Sequence, residues 1–196
     1  MMPSLDIASP VPGAGSSLRS MQSIAFEEAW EEARDGADFP SRADIHLRRF
    51  APFARWFAII EPDPNGVSLP FRLTGSGFRE FFGHDLTGMD YLSLADPAIH
   101  RHAYDCVMAC LVAPCGLWQC TPATTAEGTR LLYEYTILPI SKTGDRADLI
   151  GIFVNFETDP LGDLPGLSRI EHSTVWHWLD IGHGVPPTMV GAAPFG

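Results

Sequence analysis

Apolar and polar positions follow different periods in different stretches of the chain. Around Phe26 they follow a helix: Phe26, Ala29, Trp30 and Ala33 share one face, and Glu27, Glu28, Glu31 and Glu32 take the other. Ser23 is placed to cap this helix and Gly36 to stop it. From Trp56 to Glu61 the run WFAIIE is apolar almost throughout and partly β-branched, which predicts a buried strand. Pro62, Pro64, Asn65 and Gly66 make a turn. Phe71–Thr74 then alternates, which predicts a second strand pairing back as a hairpin. Between Gly75 and Leu94 the pattern is short and helical, interrupted at Gly83 and Gly88.

Asp96-Pro97 is a strong helix start, an acid at the cap followed by proline at the first helical position. The helix is expected to run to about Ala113, where Pro114 and Gly116 stop it, with Ile99, Ala103, Cys106, Val107, Cys110 and Leu111 as its apolar stripe. Three more strands are predicted, over 117–121, 131–140 and 149–156, with turns at Glu127-Gly128 and Thr143-Gly144-Asp145. No internal repeat is present at a solenoid period. Five strands with helices inserted after the second give an α+β layout with an antiparallel sheet. The central strands are apolar on both alternations in places, so both faces of the sheet are expected to be covered. The face beneath the short helices is where a small-molecule cavity can form.

Composition narrows the functional classes. The 196 residues carry 13 Lys and Arg against 24 Asp and Glu, a formal charge of −11, with 45% hydrophobic residues. That is a globular composition. The acidic balance argues against nucleic acid and against an anionic membrane surface. No apolar run reaches bilayer length. Residues 1–20, rich in Pro, Gly and Ser, lack the pattern of an export signal and are expected to be a flexible arm. Cys106, Cys110, Cys115 and Cys120 include no CxxC pair, so reduced thiols in a cytoplasmic protein are expected.

Several motifs bear on chemistry. Gly75-Ser76-Gly77 follows a strand and opens a helix, but Glu80 stands where a dinucleotide loop has its third glycine. A tight strand-to-helix turn accounts for these glycines. His102, Cys106 and Cys110 share one helix face, yet three ligands on one straight helix cannot surround a tetrahedral metal. Core burial of the cysteines is the expected outcome, with no metal site. His100 or His102 is an alternative axial ligand for haem. His172, His177 and His183 lie near Trp176 and Trp178, in a segment expected to dock on the domain through its tryptophans. Asp180–Gly184 has the glycines of a sharp turn and no following lysine of a phosphate loop. No GxSxG string is present, and Glu61, Glu80, Glu134 and Glu157 carry no mechanism in isolation. Glu134 interrupts an apolar strand, so it needs a partner if it points inward.

The element order and several local strings resemble the PAS-domain family, specifically the fifth PAS family of short stand-alone bacterial proteins. The strings are Phe39-Pro40-Ser41-Arg42-Ala43-Asp44-Ile45, Phe71 to Gly77 running on to Gly83-His84-Asp85-Leu86-Thr87-Gly88, and Glu134 to Ile140 with the strand ending at Phe156. His46 departs from the family, which often has proline after the Asp-Ile pair. The resemblance implies a PAS-like five-stranded antiparallel sheet with helices on one face, here with an N-terminal amphipathic helix and a C-terminal tail. The resemblance covers about residues 24–157, and the expected organisation is an arm over 1–20, a domain over 21–157 and an extension over 158–196. It also implies a sensor or regulatory module, not an enzyme. The light-sensing branch uses an Asn-Cys-Arg string that this chain lacks, which disfavours flavin photochemistry. No output module is expected after Phe156, so a signal is expected to leave through assembly or a separate output protein.

The expected site is a cavity between the sheet and the long helix that takes a small, mostly apolar ligand. Its expected lining is Phe78, Phe82, Tyr91, Ile99, Ala103, Cys106, Cys110, Trp118, Tyr133 and Phe153. The alternatives are a haem-binding redox or gas sensor and a ligand-free interaction adaptor. The Phe26/Trp30 stripe is expected to form a homodimer.

Overall fold

The computed structural model of the chain describes residues 19–63, 65–125, 128, 130–156, 167–171, 173 and 175–186. Most of the expected N-terminal arm, together with Glu127, Glu157 and His172, lies outside them. The first helix, α1 (Met21–Arg34), begins three residues earlier than the Ser23 cap implies. Ser20 caps it instead, its hydroxyl accepting from the Ser23 N–H at 3.0 Å. Ser23 is an interior residue whose hydroxyl meets that of Thr136 at 2.7 Å. A short helix α2 (Leu47–Phe50) and a 3₁₀ turn (Ala54–Trp56) lead into the hairpin of β1 (Phe57–Ile60) and β2 (Phe71–Thr74).

Helix α3 (Ser76–Phe82), 3₁₀ turns at Tyr91–Leu94 and Pro97–Ile99, and the long α4 (His100–Val112) follow. Asp96 caps the second of these turns, accepting from the Ala98 N–H at 2.9 Å, with Pro97 at its first position. Gly75 and Gly77 act as turn glycines here. A Cβ on Gly75 would stand 2.1 Å from the Ala54 carbonyl oxygen and 2.4 Å from that of Arg55. That close approach seats α3 on the 3₁₀ turn.

The remaining strands are β3 (Gly116–Thr125), β4 (Arg130–Ser141), β5 (Ala147–Phe156), β6 (Leu167–Ile170) and β7 (Val175–Leu179). The sheet runs β2-β1-β5-β4-β3, all neighbours antiparallel. The five expected strands are therefore joined by two more. β6 pairs with Ala123–Thr125 and β7 with Gly116–Cys120, so the two lie end to end along the outer edge of β3.

The sheet has a core on each face. Ala58, Ile60, Leu117, Tyr133, Tyr135, Ile137, Ile150, Ile152 and Val154 point toward α4 and the short helices. Phe57, Ile59, Trp118, Leu138, Ile140, Leu149 and Phe153 point toward α1. This alternation follows from the two-residue period of a strand and gives a helix–sheet–helix sandwich. The α1 stripe is buried within its own chain: Phe26 and Trp30 are each 1% exposed, and the Trp30 indole N–H donates to the Pro139 carbonyl at 2.8 Å. The stripe therefore gives no ground for expecting a homodimer through this helix.

Candidate functional site

On the α4 side, side chains from the sheet and the short helices enclose an apolar chamber of about 40 Å³. α3 contributes Phe78, Phe81 and Phe82, and the sheet contributes Phe71, Tyr133, Tyr135, Ile152, Val154 and Phe156. Trp56, Tyr91, Leu94 and Ile170 complete the wall, nine of whose thirteen residues are aromatic. The rings meet at angles that lock one another. Trp56 lies 4.8 Å from Phe156 and 5.5 Å from Phe78, both edge-on, and Tyr133 lies 5.8 Å from Phe156. The volume admits a few water-sized spheres. Tyr133 is 5% exposed, and its hydroxyl makes no hydrogen bond of ordinary length, with the Thr121 hydroxyl as its near polar neighbour. Thr121, opposite it on β3, has its own hydroxyl bonded to Ser173 Oγ at 2.5 Å. Burial pushes the Tyr91 phenol up to about 12 and raises those of Tyr133 and Tyr135 well above the usual value.

A second chamber of about 20 Å³ adjoins the first and shares Tyr91, Tyr135 and Ile170 with it. Its other walls are Ile99, His102, Ala103 and Cys106 from the α4 region, Gln119 from β3, and Glu171 and Ser173 after β6. His102 Nε2 lies 3.7 Å from Cys106 Sγ. This pair is not a thiolate–imidazolium dyad, because desolvation pushes the Cys106 thiol up to about 12 and keeps it protonated at neutral pH.

Two segments far apart in sequence meet at this site. Asp90 Oδ1 accepts from the N–H groups of Leu69 and Leu92, and the Tyr91 N–H donates to the Leu69 carbonyl at 3.0 Å, which fixes the turn carrying Tyr91. The Asp96 N–H donates to the Ile170 carbonyl at 3.0 Å, and Ala95 bridges Ile170, which brings β6 against the start of the helical region.

Of the residues expected to line the cavity, Phe78, Phe82, Tyr91 and Tyr133 border the first chamber. Ile99, Ala103 and Cys106 border the second, again with Tyr91. Trp118 and Phe153 do not: they lie on the opposite face, packed under α1. Adjacent strand residues face opposite ways, so Leu117 and Ile152 hold the helix-side positions. Cys110 belongs to the same core at 0% exposure but borders neither chamber. Sequence reasoning missed Tyr135, Ile152, Val154 and Phe156, although the two-residue period starting at Tyr133 points to Tyr135. It also missed Ile170, Glu171 and Ser173, which no local pattern could place here.

His102, one of the two alternative haem ligands, borders the second chamber. His100 Nε2 instead meets the Ala95 carbonyl at 3.1 Å. Among the described residues, no three His, Cys, Asp or Glu side chains converge to hold a metal ion. Cys106, Cys110 and Cys115 are core residues at 4%, 0% and 0% exposure. Glu134 points to the α1 face, where it does have partners: it accepts from the Ser20 backbone N–H at 3.1 Å and from the Trp118 indole N–H. Trp178 docks into the α4-side core with Trp176 beside it, while the His177 ring lies tilted against Trp118 on the other face, centroids 4.9 Å apart. No described helix is long and apolar enough to cross a membrane.

A family model described as PAS domain matches residues 18–154. Solved structures of similar fold include the light-state structure of the blue-light photoreceptor Aureochrome1 LOV, at 12% identity over 57% of this chain and 88% of that one, TM-score 0.40. A LOV protein of Rhodobacter sphaeroides matches at 12% identity over 70% of this chain and 69% of that one, TM-score 0.42. The PAS domain of a protein from Colwellia psychrerythraea matches at 17% identity over 57% of this chain and 97% of that one, TM-score 0.40. No curated protein matches the chain.

Proposed function

The chain belongs to the PAS domain family, a family of sensory modules, and from that premise we propose that it is a sensory or regulatory module, not an enzyme, that binds a small, mostly apolar ligand between the sheet and α4. The observation that carries this reading is the aromatic chamber with the buried Tyr133 hydroxyl in its wall, an apolar pocket with a polar group to fix orientation. The half-buried Trp56, Phe82 and Phe156 form its more exposed side, and a ring-sized ligand enters by displacing them. The binding unit extends beyond Phe156 to β6, because Ile170 belongs to both chambers. Occupancy is passed on through assembly or to a separate output protein. A homodimer would use a surface other than the α1 stripe. A cytoplasmic setting suits the three buried thiols.

Melting curves with single-ring and two-ring aromatics, indole first, test the reading. A ligand that binds only the folded state stabilises it by about 2.7 kcal/mol at one hundred times its Kd, a rise of several degrees. Val154→Trp, which fills the chamber, is expected to abolish the shift while the circular dichroism spectrum stays native. The absence of any shift across such a panel refutes ligand binding and leaves the ligand-free adaptor, the reading that the small chamber volume also favours. A shift that survives Val154→Trp puts the binding site elsewhere.

A further inference from the structure

The two edges of the sheet are finished differently. At β2 the Phe71 N–H donates to the Met89 carbonyl at 2.9 Å and the Gly88 N–H to the Phe71 carbonyl at 2.8 Å, so the 86–91 segment covers that edge. On the other side Ala95 and Asp96 join the end of β6. β7 has no such cover: among the described residues it pairs only with β3. Its run, Val-Trp-His-Trp-Leu, contains no lysine, proline or carboxylate, the residues that usually blunt an open edge. Val175, Trp176 and His177 are half-buried there. β3 beneath it is uncharged from Gly116 to Thr125. Charges next to β7 are engaged elsewhere. Asp180 Oδ1 accepts from the N–H groups of Gly182 and Gly184 at 2.8 and 2.9 Å, and Arg19 and Glu27, beside His177, pair with each other at 2.6 Å.

We propose that β7 pairs antiparallel with β7 of a second copy of this chain, about a two-fold axis at His177, so that two sheets become one. The open N–H and C=O groups of the edge supply the hydrogen bonds. An axis perpendicular to the sheet keeps the α4 sides of both copies on one face, and so sets one residue opposite itself. With that residue at His177, the whole strand overlaps. The occupant follows from how the edge then matches itself. Trp176 stands opposite Trp178 of the second copy on the α4 face, and Val175 opposite Leu179 on the α1 face. Aromatic meets aromatic and aliphatic meets aliphatic. Charge points the same way. A chain of formal charge −11 meets its own copy with least repulsion along an uncharged surface, and this edge is one. The pairing does not depend on what fills the chambers. It does lie on the same stretch of chain, since β7 follows closely on Ile170, which walls both of them.

Sedimentation velocity of the full chain at neutral pH, from about 1 to about 100 µM, tests the assembly, and a concentration-dependent dimer is expected. Trp176→Glu sets a carboxylate against Trp178 of the second copy and adds to the negative charge of both chains. It is expected to raise the dimer Kd about tenfold or more while the circular dichroism spectrum stays native. Covalent trapping reads the register and decides the matter should that variant unfold. In a Cys120→Ala background, His177→Cys brings two thiols together across the axis, at a Cα spacing of about 4.5–5.5 Å that a disulfide spans. Val175→Cys sets them about 14 Å apart. Diamide is expected to link the first variant into a covalent dimer on a denaturing gel and to leave the second monomeric. A wild type that stays monomeric throughout overturns the proposal and leaves the edge to a strand of another protein. A dimer that a folded Trp176→Glu leaves unchanged, or cysteine variants that do not differ in cross-linking, overturns it too. None of these failures touches the thermal shift with indole, which decides the ligand reading separately.

Discussion

Removing a single oxygen should stabilise this protein. The Tyr133 hydroxyl is buried and makes no hydrogen bond of ordinary length, and its ring lies between those of Tyr135 and Phe156, with centroids 6.1 and 5.8 Å away. Leaving such a group unpaired costs about 1–3 kcal/mol in lost hydration. Tyr133→Phe removes that cost and keeps the ring and its contacts. The vacated space is smaller than a methyl group, so the lost dispersion amounts to a few atom contacts of about 0.1–0.2 kcal/mol each. The net expectation is a gain of about 1 kcal/mol or slightly more, equivalent to about 2–4 °C in Tm for a domain of this size. Urea unfolding followed by tryptophan fluorescence reads it directly: the midpoint should rise while the slope stays constant. A loss of about 1 kcal/mol would refute the reasoning, because it would mean that the hydroxyl has a partner, with Thr121 opposite it the first place to look.

Three further outcomes follow from other parts of the fold. Trp30→Ala should cost about 3–5 kcal/mol by leaving a cavity under α1, and light scattering should show the same assembly before and after. In the native protein Cys120, the half-buried thiol, should react first with a disulfide reagent, while Cys106, Cys110 and Cys115 react only on unfolding, because burial raises the Cys106 and Cys110 thiols far above neutral pH. Lys142, at 2.5 Å, and then Arg72 hold the Glu61 carboxyl below its ordinary 4.5. A lowered folded value means that its contribution is present above pH 4.5 and lost as the pH falls through the folded value. These partly exposed side chains supply under about 1 kcal/mol, and Lys142→Met should flatten that part of the stability curve between pH 6 and pH 3.

The hairpin, the long helix and the inner strands were legible because their signals are local. WFAIIE and FRLT are short apolar runs flanked by turn residues, and Asp96-Pro97 marks a helix start by chemistry alone. Facing was not legible everywhere. Trp118 and Phe153 sit on strands that are apolar on both alternations, since α1 covers one face and α4 the other, so hydrophobicity carries no phase there. A strand with one solvated face would have given that phase. The capping of α1 was misplaced for a related reason: Ser20 and Ser23 are both good caps, and tertiary contact with Thr136 draws Ser23 into the helix. The polar end of the site was illegible in principle. Glu171 reaches it through pairing between segments 47 positions apart, and no window along the sequence contains both partners.

The placement of β6 also sets a schedule. During synthesis α1, α3, α4 and β1–β5 leave the ribosome with every residue of the aromatic wall except Ile170. The polar wall of the second chamber lacks Glu171 and Ser173 until the segment after β5 emerges, when β6 settles beside Ala123–Thr125 and draws Ile170 to Asp96. A nascent chain therefore exposes an aromatic-lined opening before it holds a complete pocket.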